Sequence, residues 1–427
     1  MGRDQFTFAH LADAHVGAWA RNPALRDRLR QSVLRAIEVA QERGAEFLLI
    51  SGDLFHTPVP EPSEVAPVAA ALRRFVESGR RIYVIYGSHD YVAHRTSWLD
   101  VLAEAGVFVR VAPEAVRAGE ARWTLPWTED VPTGARVAGV SGRSHGLDRE
   151  YYRSMDSTAF EAEPGFHIFQ FHAGVEEYLP AHLRDKIKGI RVEDLPAGID
   201  YYAGGHIHYT YEGTGPGGGL LVNPGAVFGT SRTDIENGEA GRTHRGVVIV
   251  TVNGGTPRAE FVDTLERGGI LTLDVDISGA APDAISELIA ARVREVAPAA
   301  GILVLPRLHG TLAGGRASSL DLAAARTALE KQGITIQVDA RNVESSLDSM
   351  PSAISESTVE TEEIGRLLVE GPDLPAWIRD TDGVRLVRDL LQELGIPKEE
   401  GQSTLDYDTA RRTGTRRLLD VADPEVR

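Results

Sequence analysis

The sequence predicts an α/β fold: a two-sheet β-sandwich flanked by helices, then a small α/β domain and a helical C-terminal tail. Three observations predict it. Apolar strand-like runs alternate with helix-period segments from Gln5 to Leu102, the signature of a layered α/β domain. From Val107 to Asp263 short strands and turns dominate, enough for a second sheet. Past Arg267, Gly268 and Gly269 a new strand–helix alternation begins on a smaller scale.

Gln5 to Leu11 alternates as a first strand. Leu25, Leu29, Val33, Ile37 and Ala40 recur at helical spacing, and Gly44 is a C-terminal stop. Phe47 to Ile50 reads as a buried strand, and Gly52 lets the chain turn at its end. Pro62 to Glu77 is a second amphipathic helix and Arg81 to Tyr86 a third strand. Thr96 or Ser97 can cap a helix through Leu99, Leu102 and Ala103. Further strands are expected at Phe166–Phe171, Ile199–Ala203, Leu220–Val222, Gly246–Val252 and Arg258–Asp263. In the smaller domain, strands at Ile270–Ile277, Ile302–Leu305 and Ile334–Val338 enclose helices at Pro282–Val296 and Ser319–Lys331. Ser345 to Thr361 is polar and reads as a linker. Helical pieces follow near Ile364–Val369 and Gly383–Leu394. The expected domains are therefore residues 1–265, 268–344 and a tail of 345–427.

The 427 residues contain no cysteine, which excludes disulfides, thiolate zinc sites and thiol nucleophiles. No apolar run approaches the roughly 20 residues that span a bilayer, and the N-terminus lacks the pattern of a signal peptide. The expectation is a soluble, cytoplasmic protein with no membrane partner. The formal charge of −17 argues against a chain coated in nucleic acid, though a local basic groove can coexist with it. Ser346 to Arg427 holds 18 acidic and 10 basic residues, a net of −8, so nearly half the excess lies in the tail.

Chemistry concentrates at strand ends. Five segments carry candidate ligands directly after apolar runs: Asp13 and His15, Asp53, Ser88 and His89, His172, and His206 and His208. Asp-x-His and His-x-His spacings are expected to project both side chains to one side of an extended strand. Asp53 is expected to bridge two ions, one on each carboxylate oxygen. A mixed Asp/His set suits manganese, iron or zinc better than magnesium or calcium. Two such ions roughly 3.5–4 Å apart clamp an in-line displacement at phosphorus, and His89 is the natural proton donor to the leaving group.

These residues resemble the calcineurin-like metallophosphoesterases, and within them the SbcD-type exonucleases of DNA double-strand-break repair. The resemblance covers roughly residues 6 to 262. It rests on Phe8-Ala-His-Leu-Ala-Asp-Ala-His-Val-Gly17, Ser51-Gly-Asp-Leu-Phe-His56, Gly87-Ser-His-Asp90, Phe171-His-Ala-Gly174 and Gly205-His-Ile-His208, in that order, and on Thr96-Ser-Trp-Leu-Asp-Val-Leu102. It implies the metallophosphoesterase fold, with Asp13, His15, Asp53 and His208 on one metal and Asp53, His172 and His206 on the other. His89 is implied as the transition-state histidine, and His56 as a second residue of exonuclease action. The family usually has Asn where this chain has Ser88, so the second ion is expected to bind through a weaker ligand or a water.

The resemblance further implies a manganese-dependent 3′-to-5′ exonuclease, with single-strand endonuclease activity, acting on DNA ends. It implies a DNA-capping role for the small domain, an SbcC-type coiled-coil ATPase partner docked on a C-terminal helix (Gly383–Leu394 is the candidate), and a homodimer. Two alternatives stay open: a phosphodiesterase or phosphatase for small substrates, and a weakly active DNA-end-binding subunit of an ATPase complex. His10, His94, His145, His167, His182, His244 and His309 read as structural or surface residues. Trp123 and Trp127 read as core rather than base-stacking residues. Arg143, Arg232 and Arg245 could line a phosphate groove or form surface ion pairs.

Overall fold

Alternation along the first strand sets the architecture. In β1 (Gln5–Leu11) the rings of Phe6 and Phe8 are buried, and a strand with such a face must cover it with a second layer. The computed structural model describes residues 3–91, 96–111, 116–117, 123–142, 148–156, 164–184, 186–314, 320–344, 389–390, 393, 396 and 404–418. After β1 come α1 (Pro23–Glu42), β2 (Phe47–Ser51), α2 (Pro62–Glu77), β3 (Arg81–Ile85), α3 (Trp98–Glu104) and β4 (Val109–Arg110). Then follow β5 (Val116–Arg117), β6 (Trp123–Thr124), β7 (Thr128–Asp130), β8 (Ala135–Val140), α4 (Asp148–Arg153), β9 (His167–Phe171) and β10 (Tyr201–Ala203). Next are β11 (Tyr211–Thr214), β12 (Leu220–Asn223), α5 (Arg232–Glu239), β13 (Gly246–Asn253) and β14 (Thr256–Asp263).

These strands form two six-stranded sheets, β14-β13-β1-β2-β3-β4 and β11-β12-β10-β9-β8-β7, and β5 pairs with β6. In the first sheet β1 to β4 run parallel, β13 lies antiparallel to β1, and β14 antiparallel to β13. In the second, β12, β10, β9 and β8 are parallel between antiparallel β11 and β7. The fold is the mixed α/β sandwich that the sequence predicts.

The core between the sheets joins Phe6, Phe8, Phe47, Leu49 and Tyr83 to Val137, Ile168, Tyr201 and Val222. Phe8 stacks on Phe47 at 4.9 Å and meets Tyr201 edge-on at 5.1 Å. Each such ring contributes about 1.5–3 kcal/mol by leaving water. A second core, with Phe169, Phe171 and Tyr202, covers the other face of the second sheet. Helix α1 buries Leu25, Leu29, Val33, Ile37 and Ala40. It starts where the Asn22 side chain accepts the Leu25 N–H at 3.1 Å and Pro23 needs no donor. Ser97 caps α3 in a capping box with Asp100.

The chain divides into two compact units, Met1–Ile270 and Leu271–Arg427. The second contains β15 (Ile270–Asp276), α6 (Ile285–Val296), β16 (Leu303–Thr311), α7 (Ala323–Glu330), β17 (Thr335–Ile336), β18 (Asp339–Glu344) and α8 (Thr404–Leu418). Strand β16 is longer than the expected Ile302–Leu305. It changes partner around Pro306, pairing β17 through Leu303 and Val304 and β18 from Arg307 onward. Proline donates no ladder hydrogen bond, so a change of partner there loses least. Of the expected Ile334–Val338 strand only Thr335–Ile336 forms, as β17, and β18 begins just past it at Asp339. The Ser345–Thr361 linker and the Ile364–Val369 helix lie outside the described residues, as does most of Gly383–Leu394. Among the described residues no helix is long and apolar enough to cross a membrane.

Candidate metal centre

Asp13 and His15 follow β1, Asp53 follows β2, Ser88 and His89 follow β3, His172 follows β9, and His206 and His208 follow β10. All stand past the carboxyl ends of parallel strands. The backbone at this edge is not extended: Asp13, His15, Asp53 and His206 have φ of 52°, 47°, 53° and 85°. The side chains therefore converge through left-handed turns, not through the pleat of a strand as the spacing predicts. Such a conformation costs a non-glycine residue roughly 1–2 kcal/mol and is characteristic of functional sites. Gly52, at φ 86°, permits the approach of the segments. A Cβ there would lie 2.5 Å from His172 Nδ1 and 2.7 Å from the Gly87 Cα.

Three groups of ligand atoms each gather within 4.8 Å: Asp13, His15 and His208; Asp53, His172 and His206; and His15, His56 and His89. Asp53 Oδ2 lies between the first two, 3.7 Å from His15 Nε2 and 3.2 Å from His172 Nε2. Its Oδ1 accepts the His89 backbone N–H at 2.8 Å. Oδ2 thus faces an imidazole of each group, while Oδ1 also accepts a backbone N–H. Ser88 Oγ donates to the same Oδ2 at 3.2 Å. His15 Nε2 and His208 Nε2 are 3.1 Å apart, and both are 3.9 Å from Asp13 Oδ1. His89 Nδ1–H donates to the His56 carbonyl at 2.9 Å, and the two rings stack at 5.1 Å.

The atoms at the middle suit a cation. Asp13 Oδ1 is buried without a hydrogen-bond partner, and the His15 and His208 Nε2 atoms face each other at 3.1 Å. Native interiors seldom leave such atoms unmatched, and lone pairs aimed at one another need a positive centre between them. Burial lifts the Asp13 carboxyl to about 6. Burial and the charge of His172 lower His206 to about 4, and burial holds His15 well below its ordinary value. Burial opposes charge on His172 too, but the Asp53 carboxylate outweighs it and raises that imidazole to about 10. Asp53 is in turn held far below the usual carboxylate range, by His172 and His15, against the effect of burial.

Supporting residues went unread in the sequence. Asp90, part of a motif but given no role, is buried and accepts the N–H groups of Asp53, Phe55 and Gly87 at 2.6, 3.1 and 2.9 Å. It clips the β2 and β3 turns together, and burial raises it to about 7. His172 Nδ1–H donates to the Ser51 carbonyl at 2.7 Å. His208 Nδ1–H donates to Asp234 Oδ2 at 3.0 Å. Arg245, one of the arginines read as groove or surface residues, is 1 % exposed and lies in neither place. Arg232 pairs with Glu236. His10 is wholly buried: its Nε2–H reaches the Gly204 carbonyl at 3.1 Å and its Nδ1 accepts from the Tyr201 hydroxyl at 2.9 Å. His167 stacks on Trp127 at 4.7 Å, consistent with structural roles for both. His94, His145 and Arg143 lie outside the described residues, as does the side chain of Trp123.

The family model of the calcineurin-like phosphoesterases matches residues 6–210. The chain is 25% identical over 235 residues to the DNA double-strand break repair protein Mre11 of Archaeoglobus fulgidus, covering 52% of this chain and 49% of that protein. It is 24% identical over 267 residues to the protein of the same name from Methanopyrus kandleri, covering 60% and 56%. It is 25% identical over 227 residues to the uncharacterized metallophosphoesterase YhaO of Bacillus subtilis, covering 47% and 48%. The chain spans about half the length of these curated relatives.

Proposed function

From a chain that carries a calcineurin-like metallophosphoesterase domain, we infer a two-metal DNA phosphodiesterase that works on DNA ends as a 3′-to-5′ exonuclease and cleaves single strands internally. The observation that carries the reading is the position of Asp53 Oδ2, shared by two ligand groups drawn from separate strand ends. Similarity to proteins named for double-strand break repair favours DNA as the substrate.

In this reading Asp13, His15, Asp53 and His208 hold one ion, and Asp53, His172 and His206 the other, with Ser88 as a weak further ligand. Manganese is the preferred ion; iron and zinc suit the same donors. Bound ions of this kind supply an acidified water at neutral pH and offset charge on the phosphate oxygens. The chain's own part is positioning and proton control. The backbone bond from His89 to Asp53 Oδ1 fixes the histidine relative to the shared carboxylate. With Nδ1–H committed to the His56 carbonyl, His89 presents Nε2 as its free nitrogen. It donates a proton to the leaving alkoxide only as the imidazolium. His56 supports that ring by stacking and through its carbonyl. The smaller unit is assigned the DNA-capping role, and a coiled-coil ATPase of SbcC type and a second copy of the chain are the assigned partners.

The test is digestion of end-labelled linear duplex DNA with manganese, beside a His89→Ala control. Mononucleotide release that the control loses by about 100-fold or more, the order of a general-acid contribution, is the expected result. An inert DNA substrate with normal turnover of a small aryl phosphodiester would replace the nuclease with a small-substrate phosphoesterase.

A further inference from the structure

The candidate ligating imidazoles are held in different ways. His172 gives its Nδ1–H to a backbone carbonyl, that of Ser51. His15 Nδ1 is buried with no hydrogen-bond partner. His208 alone of these three meets a carboxylate at Nδ1, Asp234 Oδ2 at 3.0 Å. That bond fixes the tautomer and turns Nε2 toward His15 Nε2 and Asp13 Oδ1.

Asp234 is itself built in. Its Oδ2 also accepts the N–H groups of Thr230 and Ser231, both at 3.0 Å, and the Ser231 hydroxyl at 2.9 Å, so the residue closes the capping box of α5. The neighbouring glycine makes room: a Cβ on Gly229, at φ 109°, would stand 2.3 Å from the Asp234 Cβ. Behind it, the buried guanidinium of Arg245 donates through Nη2 to Asp234 Oδ1 at 3.4 Å and to its carbonyl at 2.9 Å. Through Nη1 it donates to the His208 carbonyl at 2.6 Å. His208 is therefore gripped twice, at its ring by Asp234 and at its main chain by Arg245.

We propose that Asp234, backed by Arg245, is a positioning residue for metal binding that gives the Asp13–His15–His208 group the higher affinity of the two. The proposal rests on the two-metal reading of the centre. A carboxylate partner orients a ligating imidazole and raises its basicity, and losing such a partner typically costs 10–100-fold in metal affinity. His172, tied to a neutral carbonyl, lacks that gain.

The experiment is Mn2+ binding to the full chain, followed by the electron paramagnetic resonance of the free ion. The wild type is compared with Asp234→Asn, which keeps shape and an acceptor, and with Ser231→Ala, which weakens the cap but leaves the imidazole bond. The expected result is two equivalents of unequal affinity in the wild type. Asp234→Asn should weaken the tighter one by about 10–100-fold and leave the other unchanged, while Ser231→Ala, which removes only one of the bonds that hold Asp234, costs clearly less. An unchanged Asp234→Asn isotherm overturns the proposal, as does an equal loss in Ser231→Ala, which would make the effect one of helix capping. A wild type that binds no Mn2+ removes the two-metal reading itself, which separates the two failures. Should Asp234→Asn not fold, 15N-histidine NMR of the unaltered chain loaded with Zn2+ decides. His208 should carry an exchange-protected proton on Nδ1, and its absence overturns the proposal.

Discussion

At the scale of single residues, the charge pattern of the centre has a measurable consequence. His172 is raised to about 10, so it is protonated at pH 7 beside the Asp53 carboxylate, and it must lose that proton to offer a lone pair. Metal binding at neutral pH should therefore release protons, with His208 adding to the count because, against burial, its bond to Asp234 raises it as well. Calorimetric titration in two buffers of different ionisation enthalpy measures this, and equal heats in both would contradict it. That the candidate ligands gather at one edge was legible in the sequence, because each follows an apolar run. Their supports were not. Asp90 serves Asp53 from 37 residues away, and Asp234 and Arg245 serve His208 from 26 and 37 residues away. An isolated aspartate or arginine in a polar segment gives no sign of such a partner, and Arg245 in particular reads as a surface charge until the fold encloses it.

At the scale of elements, the turn after β2 is the most demanding joint. Gly52→Ala would force a side chain into a left-handed backbone and against His172 and Gly87. The expected outcome is a loss of about 1 kcal/mol or more of stability in chelator, together with weakened Mn2+ binding as His172 is displaced. Thermal unfolding and metal titration check the two effects, and a variant normal in both would contradict the close approach of the segments. Elements with a clear apolar period were readable from sequence: α1 through Leu25, Leu29 and Val33, and α2 across its whole span. Helix α5 was not, since its sole large apolar residue is Ile235 and its start depends on the Ser231–Asp234 capping box. Strand β11 was hidden by Gly213, where a Cβ would stand 2.2 Å from the Tyr178 ring. A glycine kept for close packing against an aromatic looks, in sequence, like a turn.

At the scale of the molecule, the interior between the sheets changes character along its length. Positions two apart on β1 read Phe6, Phe8, His10; those on β2 read Phe47, Leu49, Ser51 and then Asp53; those on β9 read Ile168, Gln170 and then His172. Stacked rings give way to hydrogen-bonded groups and then to ligands. Ser51 is the pivot: its hydroxyl donates to the Ala203 carbonyl and accepts from Gln170, while its own carbonyl receives His172. All the candidate ligands lie within Met1–Ile270, so the acidic excess of the tail belongs to the other unit. The left-handed, desolvated carboxylate at Asp13 sets function against stability. Its pKa is raised by burial to about 6, so the folded chain holds that proton more tightly than the unfolded one. Its contribution to stability is complete below about pH 4 and is lost as pH rises through 6, a difference of roughly 3 kcal/mol. Asparagine tolerates the same backbone and carries no charge. Asp13→Asn should therefore melt higher than the wild type in chelator at pH 8, lose most of that advantage near pH 4, and bind Mn2+ poorly at any pH. A scaffold selected for robustness alone would discard this aspartate; on the two-metal reading, its presence marks a carboxylate kept for what it binds and not for the fold.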